Sequence, residues 1–116
     1  FRGRPPADRP TGVTCYNDLV AKGLLKALQG LEIGVPEDVS VVGFDDLQLL
    51  NTVSVPLTSI RVPKAEMGRK AAEMLFRRIE AGGELPAERV LMDVELVVRE
   101  STRPLAAGRL LAGRTA

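Results

Sequence analysis

A chain of 116 residues, 45% hydrophobic and 27% charged, has the length of one small domain and enough apolar content for a packed core, which excludes a disordered polymer. Aromatics make up only 3%, with no Trp and one Tyr, which disfavours a base-stacking surface, and a single Cys excludes an internal disulfide framework. The net charge of +1 is uneven: residues 1–10 carry +2 and residues 103–116 carry +3, leaving ten bases against fourteen acids over 11–102, without the basic footprint of a nucleic-acid-binding domain.

Residues 1–10 read as an irregular lead-in, because Pro5, Pro6 and Pro10 bar regular backbone pairing. A first strand is expected over 12–16 (Gly12-Val13-Thr14-Cys15-Tyr16), followed at once by the polar pair Asn17-Asp18. A helix over about 18–30 follows, with Leu19, Val20, Gly23, Leu24, Ala27 and Leu28 along one face. Asp18 is the better candidate for its cap or dipole partner. Gly30 and Gly34 flank a turn, and Pro36-Glu37-Asp38 leads into a second strand at 39–44, which ends in a second polar pair, Asp45-Asp46. Residues 47–56 read as a loop or one short helical turn closed by Pro56, and Leu57 to Val62 as a third strand.

Pro63 precedes a helix over about 64–81 whose stripe is Met67, Ala71, Met74, Leu75 and Ile79, with Glu66–Lys70 and Glu73–Arg77 in favourable order on its wet face. Gly82-Gly83 stops it. Over 88–99, Val90, Met92, Val94, Leu96 and Val98 alternate with Leu91, Asp93, Glu95, Val97 and Arg99, so the first set is expected to face a core. The Ala/Gly/Leu/Arg stretch 103–116 reads as a flexible tail. No apolar run approaches the ~20 residues of a spanning helix, no signal-peptide pattern opens the chain, and one cysteine fits a cytoplasmic setting.

The order β-α-β-loop-β-α-β predicts an α/β fold with a mostly parallel sheet and flanking helices. About twelve residues separate strands two and three, short for a helical crossover, which hints that the chain passes between two lobes there. A strand, a polar pair and a helix or loop, used twice, is how open α/β sheets place ligands beyond the carboxyl ends of their strands. Asn17 and Asp45 are therefore the candidate ligand-binding residues. Asn17 offers a donor and an acceptor to a sugar hydroxyl or purine edge, or else caps the helix. Asp45 accepts hydroxyl or N–H donors at a cleft mouth, or else forms an Asx turn, with Asp46 left to the loop. Phe44 either lies against a sugar face or packs as a core phenyl, the latter favoured. Cys15 reads as a small core residue, since the chain holds no His to activate it.

Several segments carry a specific resemblance. Tyr16-Asn17-Asp18-Leu19-Val20-Ala21-Lys22-Gly23 and Val35-Pro36-Glu37-Asp38-Val39-Ser40-Val41-Val42-Gly43-Phe44-Asp45-Asp46 resemble signature stretches of the lactose-repressor/galactose-repressor family of bacterial transcription regulators. Pro56-Leu57-Thr58-Ser59-Ile60-Arg61, Met67-Gly68 and Val97-Val98-Arg99-Glu100-Ser101-Thr102 continue the match in the same order, over about 11–103. The resemblance implies a bilobed fold like periplasmic sugar-binding proteins, with 11–102 the C-terminal portion of an effector-binding and dimerisation domain. About 11–60 would belong to one lobe, about 63–90 would cross to the other, and about 93–102 would return. A small-molecule effector, a sugar in the first instance or else nucleoside-like, would meet Asn17, Asp45 and Phe44. Lys22, Leu24, Leu49, Leu50 and Val53 would lie in or near a homodimer interface, Lys22 standing where the family often has an apolar residue. DNA would be bound only through a head domain that this chain does not contain.

Where the family often has Thr-Thr and a ligand-reaching Gln, this chain has Thr58-Ser59 and Val62, so the effector is less hydroxylated or held from elsewhere. The resemblance implies neither a catalytic role, nor a metal, cofactor or membrane partner. An enzyme using Asp45-Asp46 for Mg²⁺ or phosphotransfer would need a further acidic pair and a suitably placed Lys. No histidine and no Gly-rich phosphate loop is present. The remaining alternative is a transport-associated sugar-binding protein of the same fold, against which the Val-Pro-Glu-Asp-Val-Ser run argues.

Overall fold

The computed structural model of the chain describes residues 3, 5, 8–48, 55–83 and 85–105. Within them the element order is β1 (Gly12–Thr14), α1 (Asp18–Gly30), β2 (Ser40–Asp45), β3 (Thr58–Arg61), α2 (Lys64–Glu80) and β4 (Glu95–Val97). The strands form one sheet in the order β1-β2-β3-β4. The first three run parallel, and β4 lies antiparallel on β3. This is the α/β, mostly parallel arrangement that the element order predicts.

The apolar spacing of α1 lays Ala21, Leu25 and Leu28 against Val39, Val41 and Leu57, and all six are buried. Val13, Cys15, Leu24, Ile33, Val35 and Leu47 pack around them. Fully burying each such Val or Leu contributes about 1.5–3 kcal/mol, so this one layer of helix on sheet is the main source of stability. Parallel registers put Thr14 beside Val42 and Phe44 beside Ile60, on the sheet face opposite α1.

Four expectations are corrected. First, α1 is capped by Asn17 and not Asp18: Asn17 is extended at φ −154° and its Oδ1 accepts the Val20 N–H at 2.9 Å. Asp18 instead turns inward and is 1% exposed. Second, the twelve residues between β2 and β3 do return within one sheet, since Val42 to Asp45 pair directly with Thr58 to Arg61. Third, the alternating run 88–99 yields only a three-residue strand. Because β3 has just four residues, it offers partners only to Glu95, Leu96 and Val97, and the preceding segment has no ladder to join. The set expected to face a core is correspondingly open, with Val94, Leu96 and Val98 all exposed. Fourth, α2 forms where its periodicity predicts, yet none of its residues is buried: Met67, Leu75 and Ile79 of its stripe are exposed. Helical periodicity is a property of the segment, whereas burial requires a surface to receive it, and no such surface is found among the described residues.

The segment after β4 closes the sheet below the start of β3. Ser101 is fully buried; its Oγ donates to the Val41 carbonyl at 2.6 Å and accepts the Thr58 N–H at 2.8 Å, while the Val41 N–H donates to the Ser101 carbonyl at 2.8 Å. One hydroxyl thus joins β2 to β3 where the ladder is missing. Ser101→Ala leaves a buried donor and a buried acceptor unpaired, so urea unfolding should show a loss of about 2 kcal/mol. A loss within about 0.5 kcal/mol would mean that water or a backbone shift replaces the hydroxyl.

Candidate functional site

The three parallel strands end on one edge, and that edge is where the polar residues gather. β2 delivers Asp45, after which the backbone enters the left-handed region at two consecutive non-glycine residues, Asp45 (φ 100°) and Asp46 (φ 48°). Aspartate tolerates this conformation better than most residues, but two in succession persist only where neighbours hold them.

Those neighbours are visible. The Asp46 carboxylate accepts Arg61 Nε at 2.7 Å and Arg99 Nη2 at 2.6 Å, and its side chain is only 11% exposed. Burial raises the Asp46 pKa, but the hydrogen bonds from Arg99 and Arg61 outweigh it, so the group sits below the ordinary carboxylate value of 3.8. The pairing therefore contributes fully above that value and is lost only as the pH falls through the depressed one. Arg99 Nη1 also donates to the Leu57 carbonyl at 2.7 Å, tying the approach to β3 into the same cluster. Ser59 Oγ accepts the Asp46 N–H at 3.2 Å, and Lys64 at the start of α2 donates to the Asp45 carbonyl.

Beneath this loop lies a second tie. The buried Asp18 carboxylate accepts Ser59 Oγ at 2.6 Å and the Leu47 N–H at 2.7 Å, joining α1, β3 and the chain leaving β2. Gly43 makes room for it: a Cβ there would stand 2.1 Å from Asp18 Oδ1 and 2.8 Å from Leu57 Cδ2.

On the opposite sheet face, beside this edge, a cavity of about 560 Å³ is lined by Thr14, Cys15, Tyr16, Val42, Gly43, Phe44, Asp45 and Ile60. Its base is apolar and its polar groups are few, the composition of a small-molecule site. Asp45, expected at the site from sequence, and Phe44, for which the residues favoured a core position over a ligand contact, line it together. Phe44 is 38% exposed and so is no core phenyl, because its strand position turns it away from α1. Asn17 stands at the N-terminus of α1, directly after the cavity residue Tyr16, half-buried; its carboxamide oxygen is committed to the cap. Leu24 packs against the core and Lys22 is exposed on α1, while Leu49, Leu50 and Val53 lie outside the described residues.

The strand expected over 12–16 includes Tyr16, whereas β1 ends at Thr14 and Tyr16 is 86% exposed beside the cavity it lines. Its position between a strand end and a helix cap was the available signal. Arg61 and Arg99 were also missed as site residues, since nothing in local spacing pairs either with Asp46. Among the described residues there is no group of three or more His, Cys, Asp or Glu side chains able to hold a metal ion, and no helix long and apolar enough to cross a membrane.

Cys15 touches both the core and the cavity. Burial and the nearby Asp18 carboxylate push its thiol above the ordinary value of 9.0, so it stays protonated at neutral pH and is no nucleophile. Its alkylation by iodoacetamide should follow pH with a midpoint above 9.0; a midpoint below that value would contradict this placement.

Residues 2–102 match the family model described as a periplasmic binding protein-like domain. The chain is 43% identical over 105 residues to an arabinose metabolism transcriptional repressor of Geobacillus stearothermophilus, covering 90% of this chain and 29% of that protein. It is 43% identical over 99 residues to the HTH-type transcriptional repressor PurR of Vibrio vulnificus, covering 84% and 29% respectively. The chain thus spans under a third of the length of these curated relatives. Among solved structures, a LacI family transcriptional regulator from Enterococcus faecalis with bound ribose superposes with a TM-score of 0.73 at 36% identity, over 82% of this chain and 35% of that one. The transcriptional regulator CelR in complex with cellobiose gives 0.71 at 36% identity, over 78% and 28%.

Proposed function

The chain belongs to the periplasmic binding protein-like domain family, in the form found in lactose-repressor-type transcription regulators, and from that premise we propose that its cavity holds part of the effector site of such a regulator. The observation that carries the reading is the position of Asp45. It lies at the carboxyl end of a parallel strand and lines a mostly apolar cavity whose other lining residues include Thr14 and Tyr16. A sugar presents apolar C–H faces and a ring of hydroxyl donors. Phe44, Val42 and Ile60 suit the first, and Asp45 suits the second through charge-assisted hydrogen bonds. The Asn17 amide NH2, with its oxygen in the cap, is the group left to meet a ligand acceptor.

The bound ribose and cellobiose of the similar structures support a sugar over other small molecules. Relatives that are repressors favour a regulator over a transport protein of the same fold, and no side chain is assigned a catalytic role. Homodimerisation would use the α1 surface around Lys22 and Leu24, with Leu49, Leu50 and Val53. DNA would be contacted by another part of the protein, in the cytoplasm. The effector would act by binding one arrangement of the two lobes better than another, shifting the population and with it the spacing of the DNA-binding parts.

Two-dimensional amide NMR of the chain with ribose, glucose and cellobiose tests the assignment. Shift changes should concentrate on Thr14, Tyr16, Phe44 and Asp45 for at least one sugar. Changes confined to α2, or none with any of the three, would overturn it.

A further inference from the structure

Asp45 can serve an effector only if its strained backbone is held, and the holding groups are distant in sequence. Arg61 and Arg99 reach Asp46 across separations of 15 and 53 residues. They arrive from two different segments, the end of β3 and the stretch just after β4, and grip the two carboxylate oxygens separately. A side chain fixed at both oxygens fixes the Cα that bears it, and with it the peptide joining Asp45 to Asp46. Without these grips the chain would relax toward negative φ, rotating the Asp45 side chain relative to the cavity.

We propose that Arg61 and Arg99 are positioning residues, whose two-sided grip on Asp46 holds the Asp45–Asp46 step left-handed and thereby keeps Asp45 on the cavity rim. The proposal rests on the reading of the cavity as an effector site for its functional consequence, but the grip itself has its own readout. Arg99 carries more of the work than Arg61. It is the less exposed of the two, 34% against 49%, and it also binds the Leu57 carbonyl, whereas Arg61 divides its guanidinium between Asp46 and the exposed Glu95. The fork geometry of arginine makes both contacts possible at once, which a lysine ammonium cannot reproduce.

The test is native-state amide hydrogen exchange on the full 116-residue chain and on Arg99→Gln, Arg99→Lys and Arg61→Gln, with ribose, glucose and cellobiose binding measured on each. Arg99→Gln should speed exchange at the Asp46 and Leu47 amides about tenfold or more, while Val41 and Val42 in the centre of β2 change far less. Arg99→Lys should restore part of that protection and Arg61→Gln should lose less of it. If a sugar binds the parent chain, its affinity should fall about tenfold in Arg99→Gln and recover partly in Arg99→Lys. Exchange at Asp46 and Leu47 that is unchanged, or that rises only in step with Val41 and Val42, overturns the grip whatever the binding result. Localised fast exchange in a chain that binds none of the three sugars supports the grip and overturns the effector reading instead.

Discussion

Gly43→Ala should be the most destabilising alanine substitution among the described glycines, lowering the unfolding free energy by about 3 kcal/mol. The added carbon would lie 2.1 Å from the buried Asp18 carboxylate oxygen, and that oxygen cannot retreat without breaking its 2.6 Å bond from Ser59. Gly23→Ala provides the control. It lies in α1 with nothing within 4 Å of the new carbon, and should instead stabilise by about 0.5–1 kcal/mol through helix propensity. Asp18→Ala should cost a similar amount to Gly43→Ala, about 3 kcal/mol, because it leaves the Ser59 hydroxyl and the Leu47 N–H without an acceptor. The two effects share a cause, so they should not add. With the carboxylate gone, the alanine at 43 has space, and the double variant should be clearly less unstable than the sum of the singles. Additive losses in urea unfolding would show that Gly43 is needed for some reason other than Asp18.

Asp45→Asn should leave the fold intact and weaken sugar binding about tenfold. Asparagine accepts left-handed backbone as readily as aspartate, so the φ of 100° carries no new cost, and Asp45 takes no part in the core. What is lost is the charge on the acceptor. A hydrogen bond to a charged group is worth about 1.5–3 kcal/mol against about 1 for a neutral one, and the difference corresponds to a factor of ten or so in affinity. Calorimetry with the sugar that binds most tightly, together with an unchanged melting temperature, checks both halves. Equal affinity for the two proteins would remove Asp45 from the site, and a collapse in melting temperature would make it a structural residue.

How legible this was in the sequence depended on the range of the interaction. Strand, polar pair and helix are local patterns, and β1, α1, β2, β3 and α2 fall within a residue or two of where spacing and Gly/Pro punctuation put them. The positions of Asp45 and Phe44 at a strand end follow from the same logic. Roles that depend on partners far along the chain did not. Asn17 and Asp18 are adjacent and both suited to capping; only the presence of Ser59 and Leu47, 41 and 29 residues away, draws Asp18 inward and leaves the cap to Asn17. The run 88–99 shows strand alternation throughout, but its paired length is set by the four residues of β3. Likewise Ser101, one letter in a resembling motif, proves to be a buried staple between β2 and β3.

The most direct measurement is a crystal structure of the chain grown with ribose. Density for the sugar is expected in the cavity between Tyr16 and Phe44, with a hydroxyl within hydrogen-bonding distance of the Asp45 carboxylate and Asp46 still held by Arg61 and Arg99. A sugar seated elsewhere on the chain, or an Asp45 side chain turned away from it, would contradict the effector assignment.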